Sequence, residues 1–127
     1  MDLKEVVAVL DGEIMTRQAV SRQEVVVGAA ADLMSDVLAY ARPDSVLLTG
    51  LVHPQVVRTA EMAGIRAIVF VRGKHPSAET TTLAEEIGIP LLSTRYTMYE
   101  ACGRLYAAGL PGSGPCVSYD GPEQAKA

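Results

Sequence analysis

Residues 43–97, PDSVLLTGLVHPQVVRTAEMAGIRAIVFVRGKHPSAETTTLAEEIGIPLLSTRYT, decide the fold. Three short apolar runs stand in this stretch: Ser45–Thr49 (SVLLT), Ala67–Val71 (AIVFV) and Pro90–Ser93 (PLLS). Each is followed by a polar turn and then a segment of helical period. Continuous apolar runs of this length suit strands buried on both faces, and alternation with helices makes the sheet parallel. The helices are expected at about Pro54–Ala63, Ser77–Ile87 and Thr97–Ala108, each closed by a glycine (Gly64, Gly88, Gly109). Pro54 suits a first helical position, where its missing N–H has no intrahelical partner. A left-handed glycine ends each helix, and the apolar residue after it begins the return. His-Pro occurs twice, at 53–54 and 75–76. The fold class is therefore α/β, a single domain of repeated βα units around a mostly parallel sheet.

Working outward, Asp32 precedes an apolar stripe of helical spacing (Leu33, Met34, Val37, Leu38, Ala41) and is expected to cap that helix, which Pro43 ends. Glu24–Gly28 (EVVVG) reads as a strand with Gly28 as its stop. Lys4–Leu10 is rich in valine and reads as a first strand ending at the Asp11-Gly12 turn, from which a hairpin back through Glu13–Thr16 is an option. Residues 16–23 read as an irregular connection. Residues 1–110 form the domain; 111–127, rich in Gly, Pro and Ser, read as a mobile tail rather than one docked through Cys116, Val117 and Tyr119.

The 127 residues can bury a core without staples, and with no Trp and a single Phe that core must be aliphatic. A net charge of −4 argues against nucleic acid and anionic membrane surfaces as partners. No segment has the length and apolarity of a membrane span and the N-terminus lacks a signal-peptide plan, so a cytoplasmic location is expected. Cys102 and Cys116, with His53 and His75, match no zinc or cluster spacing, and no metal or cofactor is expected.

If the runs are parallel, the joints after them share one rim, where open α/β sheets bind ligands. Thr49, Gly50, Arg72, Lys74, Ser93, Thr94, Arg95 and Thr97 offer hydroxyls, cations and helix N-termini, a cradle for a small anion. The bland alternative is that Thr49, Ser77 and Thr97 cap helices and the basic residues are solvated. No GxxxxGK[ST] or GxGxxG is present, so neither a P-loop nor a dinucleotide fingerprint is claimed. His53 and His75 read as surface turn residues rather than proton-transfer or anion-binding groups, Asp32 and Asp36 as a cap and a solvated or interface residue rather than a catalytic or Mg²⁺ pair, and Cys102 as a small hydrophobe. No catalytic residue is assigned. Tyr96, Tyr99 and Tyr106 bracket the last helix more generously than packing on one sheet requires, which points to a homodimer contact.

The run ADLMSDVLAYARPDSVLLTGLVHPQVVRTAEMAGIRAIVFVRGKHP, followed by AEEIGIPLLSTRYTMYEACGRLYAAGL, closely resembles the stand-alone DRTGG-domain proteins over roughly Val25 to Leu110. Asp32 stands for the D of the family's name, Leu33 replaces the Arg, and Thr49-Gly50-Leu51 replaces Thr-Gly-Gly. The resemblance implies a regulatory or ligand-sensing module, binding an anionic metabolite such as an adenine nucleotide and acting as a homodimer in anaerobic redox or energy metabolism. It also implies a hydrogenase or electron-transfer protein as a partner, and the alternative of a protein-interaction adaptor with no small-molecule ligand. The family is similar to the N-terminal domain of HPr kinase/phosphorylase, whose catalytic P-loop domain has no counterpart here. An iron–sulfur role needs cluster ligands that two cysteines do not supply.

Overall fold

The computed structural model describes residues 1–17 and 23–115. Along the chain the elements are α1 (Leu3–Val9), β1 (Glu13–Ile14), β2 (Val27–Ala30), α2 (Met34–Tyr40), β3 (Ser45–Thr49), α3 (Pro54–Ala63), β4 (Ala67–Phe70), α4 (Ala78–Ile87), β5 (Leu91–Ser93) and α5 (Met98–Ala107). The sheet has five strands in the order β1-β5-β4-β3-β2, with β2 to β5 parallel and β1 antiparallel to β5. Because the parallel strands are laid down in sequence, three right-handed crossovers put α2, α3 and α4 on one face. The core divides accordingly. Leu47, Ile68, Phe70 and Leu91 point toward Met34, Val56, Val57 and Ala84 on that face. Val46, Leu48, Val69 and Leu92 point the other way, toward Leu3 and Val6 of α1 and Ala101 and Leu105 of α5. Strands covered on both faces have no polar side to show, which is why 45–49 and 67–70 are buried throughout.

The expected βα units are present with boundaries shifted by a residue or so. Gly64 and Gly88 are left-handed helix ends, and Gly109 follows α5 with φ 107°. Ser77 and Thr97 accept from the backbone N–H of Thr80 and Glu100 and cap α4 and α5.

The N-terminal third departs from expectation. Lys4–Leu10 is not a strand but lies in α1 and its C-cap, despite its valines. Asp2 accepts from the Glu5 N–H at 2.9 Å and Glu5 reaches back to the Asp2 N–H at 3.4 Å, a capping box. Leu3, Val6 and Leu10, spaced three and four apart, are buried on one stripe, so helical period overrides β-propensity. The hairpin is likewise absent: Glu13–Ile14 turns away from α1 and pairs with β5, Glu13 opposite Ser93. Gly28 lies within β2 rather than ending it. Asp32 does not cap α2, whose N-cap is Leu33 with no side-chain bond. Leu33 and Leu38, expected on the apolar stripe, are largely exposed; Met34 and Val37 carry its packing. Residues 16 and 17 follow β1, while 18–22 and the tail from 116, including Cys116, Val117 and Tyr119, lie outside the described residues.

Candidate functional site

The parallel strands end at one rim, and two joints there are tied together. The Arg72 N–H donates to Tyr96 O and the Gly73 N–H to Thr94 O, both at 2.8 Å. The Ser93 hydroxyl donates to Lys74 O at 2.8 Å. The joint after β4 is thus clamped to the joint after β5. A third anchor reaches the N-terminal unit: Thr94, 2% exposed, donates its hydroxyl to Leu10 O at 2.7 Å. Arg72 takes φ 60° and Asp11 φ 47°, left-handed values that residues with a side chain seldom adopt.

The joint after β3 is built around Asp32. Its Oδ1 accepts from the Gly50 N–H at 2.7 Å and from the Thr49 hydroxyl at 3.0 Å, and Thr49 in turn accepts from the Leu51 N–H. The carboxylate that sequence spacing assigns to a helix cap instead holds a strand end. Gly50 needs its missing side chain for space rather than for φ: a Cβ there would lie 3.4 Å from an Arg72 guanidinium nitrogen and 3.6 Å from Asp32 Oδ1. Lys74 reaches over and donates to Gly50 O at 3.3 Å.

Beside this lies a cleft of about 670 Å³ between the β4 and β5 joints and the α1–β1 turn. Arg72, His75 and Arg95 line it together with Asp11 and Glu13, over the buried Ser93 and Thr94. Among the described residues none of these charged groups enters an ion pair; the pairs present are Arg17–Glu85, Arg66–Asp44 and Arg104–Glu100.

Of the eight rim residues expected from sequence, the structure brings Arg72, Ser93, Thr94 and Arg95 into the cleft, with Gly50 and Lys74 alongside. The hydroxyls of Thr49, Ser93 and Thr94 are committed to internal bonds and their side chains are buried, so they shape the site from beneath. Thr97 caps α5. His75 is brought into the cleft, whereas His53 is the N-cap of α3 with no side-chain cap bond. Asp32 and Asp36 do not converge: Asp36 borders a separate depression beside β2 and Tyr40. Asp11 and Glu13 were invisible to sequence reasoning, because they reach the rim only through antiparallel pairing of β1 with a strand eighty residues away; the Asp11-Gly12 turn was the one signal.

Tyr96 is half-buried, its ring 4.1 Å beneath the Arg104 guanidinium, whereas Tyr99 and Tyr106, seven apart on α5, are 89% and 71% exposed. Cys102 sits between them, half-buried, and burial pushes its thiol pKa up. Among the described residues no group of three or more His, Cys, Asp or Glu is placed to hold a metal ion, and no helix is long and apolar enough to cross a membrane.

The fold and the site together define a parallel α/β domain whose strand ends meet at one charged rim. The chain belongs to the DRTGG-domain family: the family model for the DRTGG domain matches residues 5–108. Among solved structures it is similar to the CBS and DRTGG domains of the regulatory region of Clostridium perfringens pyrophosphatase, crystallised with the activator diadenosine tetraphosphate. The TM-score is 0.62 at 16% identity, covering 98% of this chain and 57% of that one, so the likeness is of fold. The present chain thus spans little more than half the length of that neighbour. No curated protein matches it.

Proposed function

We propose that this protein is a non-catalytic regulatory module that senses a small anionic metabolite, an adenine nucleotide being the leading class, at the strand-end rim. The observation that carries this reading is that Arg72 and Arg95, from the clamped β4 and β5 joints, line one cleft, are exposed and enter no ion pair among the described residues. Arginine suits planar recognition of phosphate or carboxylate. Lys74 adds charge at the Gly50 surface. The similarity to a regulatory region that binds a nucleotide activator supports the same reading. A ligand drawn to Arg72 would pull on Tyr96 O through the Arg72 N–H, and so on the start of α5. Its two exposed tyrosines are the proposed homodimer contact. The family resemblance supplies the wider setting, anaerobic redox or energy metabolism with a hydrogenase or electron-transfer protein as recipient of the signal, and the sequence pattern the cytoplasmic location.

A thermal-shift screen of AMP, ADP, ATP and acyl phosphates tests it. At ten times Kd a ligand stabilises by about 1.4 kcal/mol, roughly 4–6 °C for a domain of this size. Arg72→Asn, which keeps a residue tolerant of left-handed backbone, and Arg95→Ala should each abolish the shift. No shift with any of these ligands would remove the reading. The adaptor alternative draws on one observation, the exposed Tyr99 and Tyr106 on one helix; a stable protein partner captured with no ligand response favours it.

A further inference from the structure

The rim cleft is not simply basic, and its charge balance says what it selects. Arg72 and Arg95 line it together with Asp11 and Glu13, so its formal charge is +2 − 2 = 0 with His75 neutral. A bare polyanion gains little there, because attraction to the guanidiniums is opposed by repulsion from the carboxylates. A ligand with an anionic group and, on another part of its surface, hydroxyl or amino donors satisfies both sets at once. Carboxylates accept strongly from such donors, and His75 offers a ring N–H to an anion.

Three features fix the acidic turn in place. Asp11, with φ 47°, is the left-handed residue that closes α1: its N–H donates to Ala8 O and the Gly12 N–H to Val7 O, so the helix end sets where the Asp11–Glu13 turn leaves, at the rim of the cleft. Gly12 between Asp11 and Glu13 packs so closely on β5 that a Cβ would come within 3.3 Å of Ser93 O, which sets the acidic turn against the cleft base. The Thr94–Leu10 bond then ties the end of α1 to the buried floor of the cleft. At about 670 Å³ the cleft is of the size that takes a drug-sized or nucleotide-sized ligand.

From this we infer that Asp11 and Glu13 are specificity-determining residues of the proposed sensor site, and that the ligand is a phosphate monoester bearing hydroxyl donors, for which the rim reading makes a nucleoside monophosphate the probe. Arg72, Arg95 and His75 take the phosphate; Asp11 and Glu13 take ribose hydroxyls. The inference rests on the rim reading above, and the two are separated by the following test.

Calorimetric titration of the full chain with AMP and with inorganic phosphate is made for the wild type, the double variant Asp11→Asn/Glu13→Gln, and Arg95→Ala. Asparagine tolerates the left-handed backbone at position 11, so the double variant keeps the turn. The wild type should prefer AMP to phosphate by about tenfold or more, the scale of one or two charge-assisted hydrogen bonds. In the double variant AMP should weaken by about tenfold while phosphate binds about twofold to threefold tighter, since a repulsion has been removed along with a contact. The opposed signs are what a merely destabilised site cannot produce. If AMP binds, is lost in Arg95→Ala, and is unchanged in the double variant, the acidic selection is overturned and the rim sensor stands. If neither probe binds the wild type, the monophosphate inference is overturned, while the rim reading stands or falls with the thermal-shift screen.

Discussion

The Asp32–Thr49 pair gives the most direct test of how the rim is held. Thr49 is 0% exposed, and its hydroxyl donates to Asp32 at 3.0 Å while accepting from the Leu51 N–H at 3.1 Å. Thr49→Val keeps the volume, removes both bonds and leaves the Leu51 N–H without its partner. One net bond plus one stranded donor amounts to about 2 kcal/mol. Asp32→Ala loses the 2.7 Å bond from Gly50 N and the same bond from Thr49. Bonds to a carboxylate are the stronger kind, but Asp32 is exposed and water replaces part of them, so about 2 kcal/mol is again expected. Because one bond is shared, the double variant should lose about 3 kcal/mol rather than 4, a coupling of about 1 kcal/mol. Urea denaturation with all four proteins measures the cycle, and each kcal/mol should appear as roughly 3–5 °C in Tm. Asp32→Asn, which keeps one acceptor oxygen, should recover about half of the Asp32→Ala loss. Additivity within about 0.3 kcal/mol, or a neutral Thr49→Val, would refute the view that Asp32 is a strap on β3.

Other expectations follow from the same geometry. Gly64→Ala should cost more than Gly88→Ala, because both positions have left-handed φ (75° and 93°) but only at Gly64 does a Cβ meet a neighbour, Pro43 Cβ at 3.2 Å. Strain alone is worth about 1 kcal/mol, and the difference in chemical-denaturation midpoints reads the clash. With Cys116→Ser to leave one thiol, alkylation of Cys102 should show a pH–rate midpoint above the ordinary thiol value, since burial disfavours the thiolate. The sign for stability follows: a pKa raised in the folded state gives a contribution present below the unfolded thiol value and lost as pH rises through the folded one, so Cys102→Ala should flatten the alkaline limb of stability against pH. Tyr99→Ser/Tyr106→Ser should shift sedimentation toward monomer with little change in Tm, because both rings are exposed in the monomer; an unchanged distribution removes α5 as the dimer contact.

The parallel half of the fold was legible because its cues agree with one another. Runs such as Ser45–Thr49 are buried on both faces, and Gly64 and Gly88 stand where the left-handed helix ends require them. The N-terminal helix was misread because valine favours strands locally, while Asp2 with Glu5, and Leu3, Val6 and Leu10, spell a capped helix. Asp32 shows the limit of local reading: standing before a helix it looks like a cap, and only the fold reveals that Thr49 and Gly50 are nearer claimants. The basic part of the cleft was visible because Arg72 and Arg95 follow recognisable strands. Its acidic part was not, because the position of Glu13 depends on a two-residue antiparallel pairing with β5 that leaves no periodicity.

The bond from Thr94 to Leu10 spans 84 positions of chain. Closing a loop of that length costs about 4 kcal/mol of chain entropy, against the short-range closures that build each βα unit. The start of α1 is held nearer in sequence, the Leu3 N–H donating to Gln23 O and the Val25 N–H to Met1 O. Only the far end of the helix and β1 depend on the long closure, through the Thr94–Leu10 bond and the two-residue pairing of β1 with β5. With so short a pairing to hold it, the acidic side of the cleft is expected to open more readily than the central strands, and amide exchange at Asp11–Ile14 should run ahead of exchange in β3 and β4.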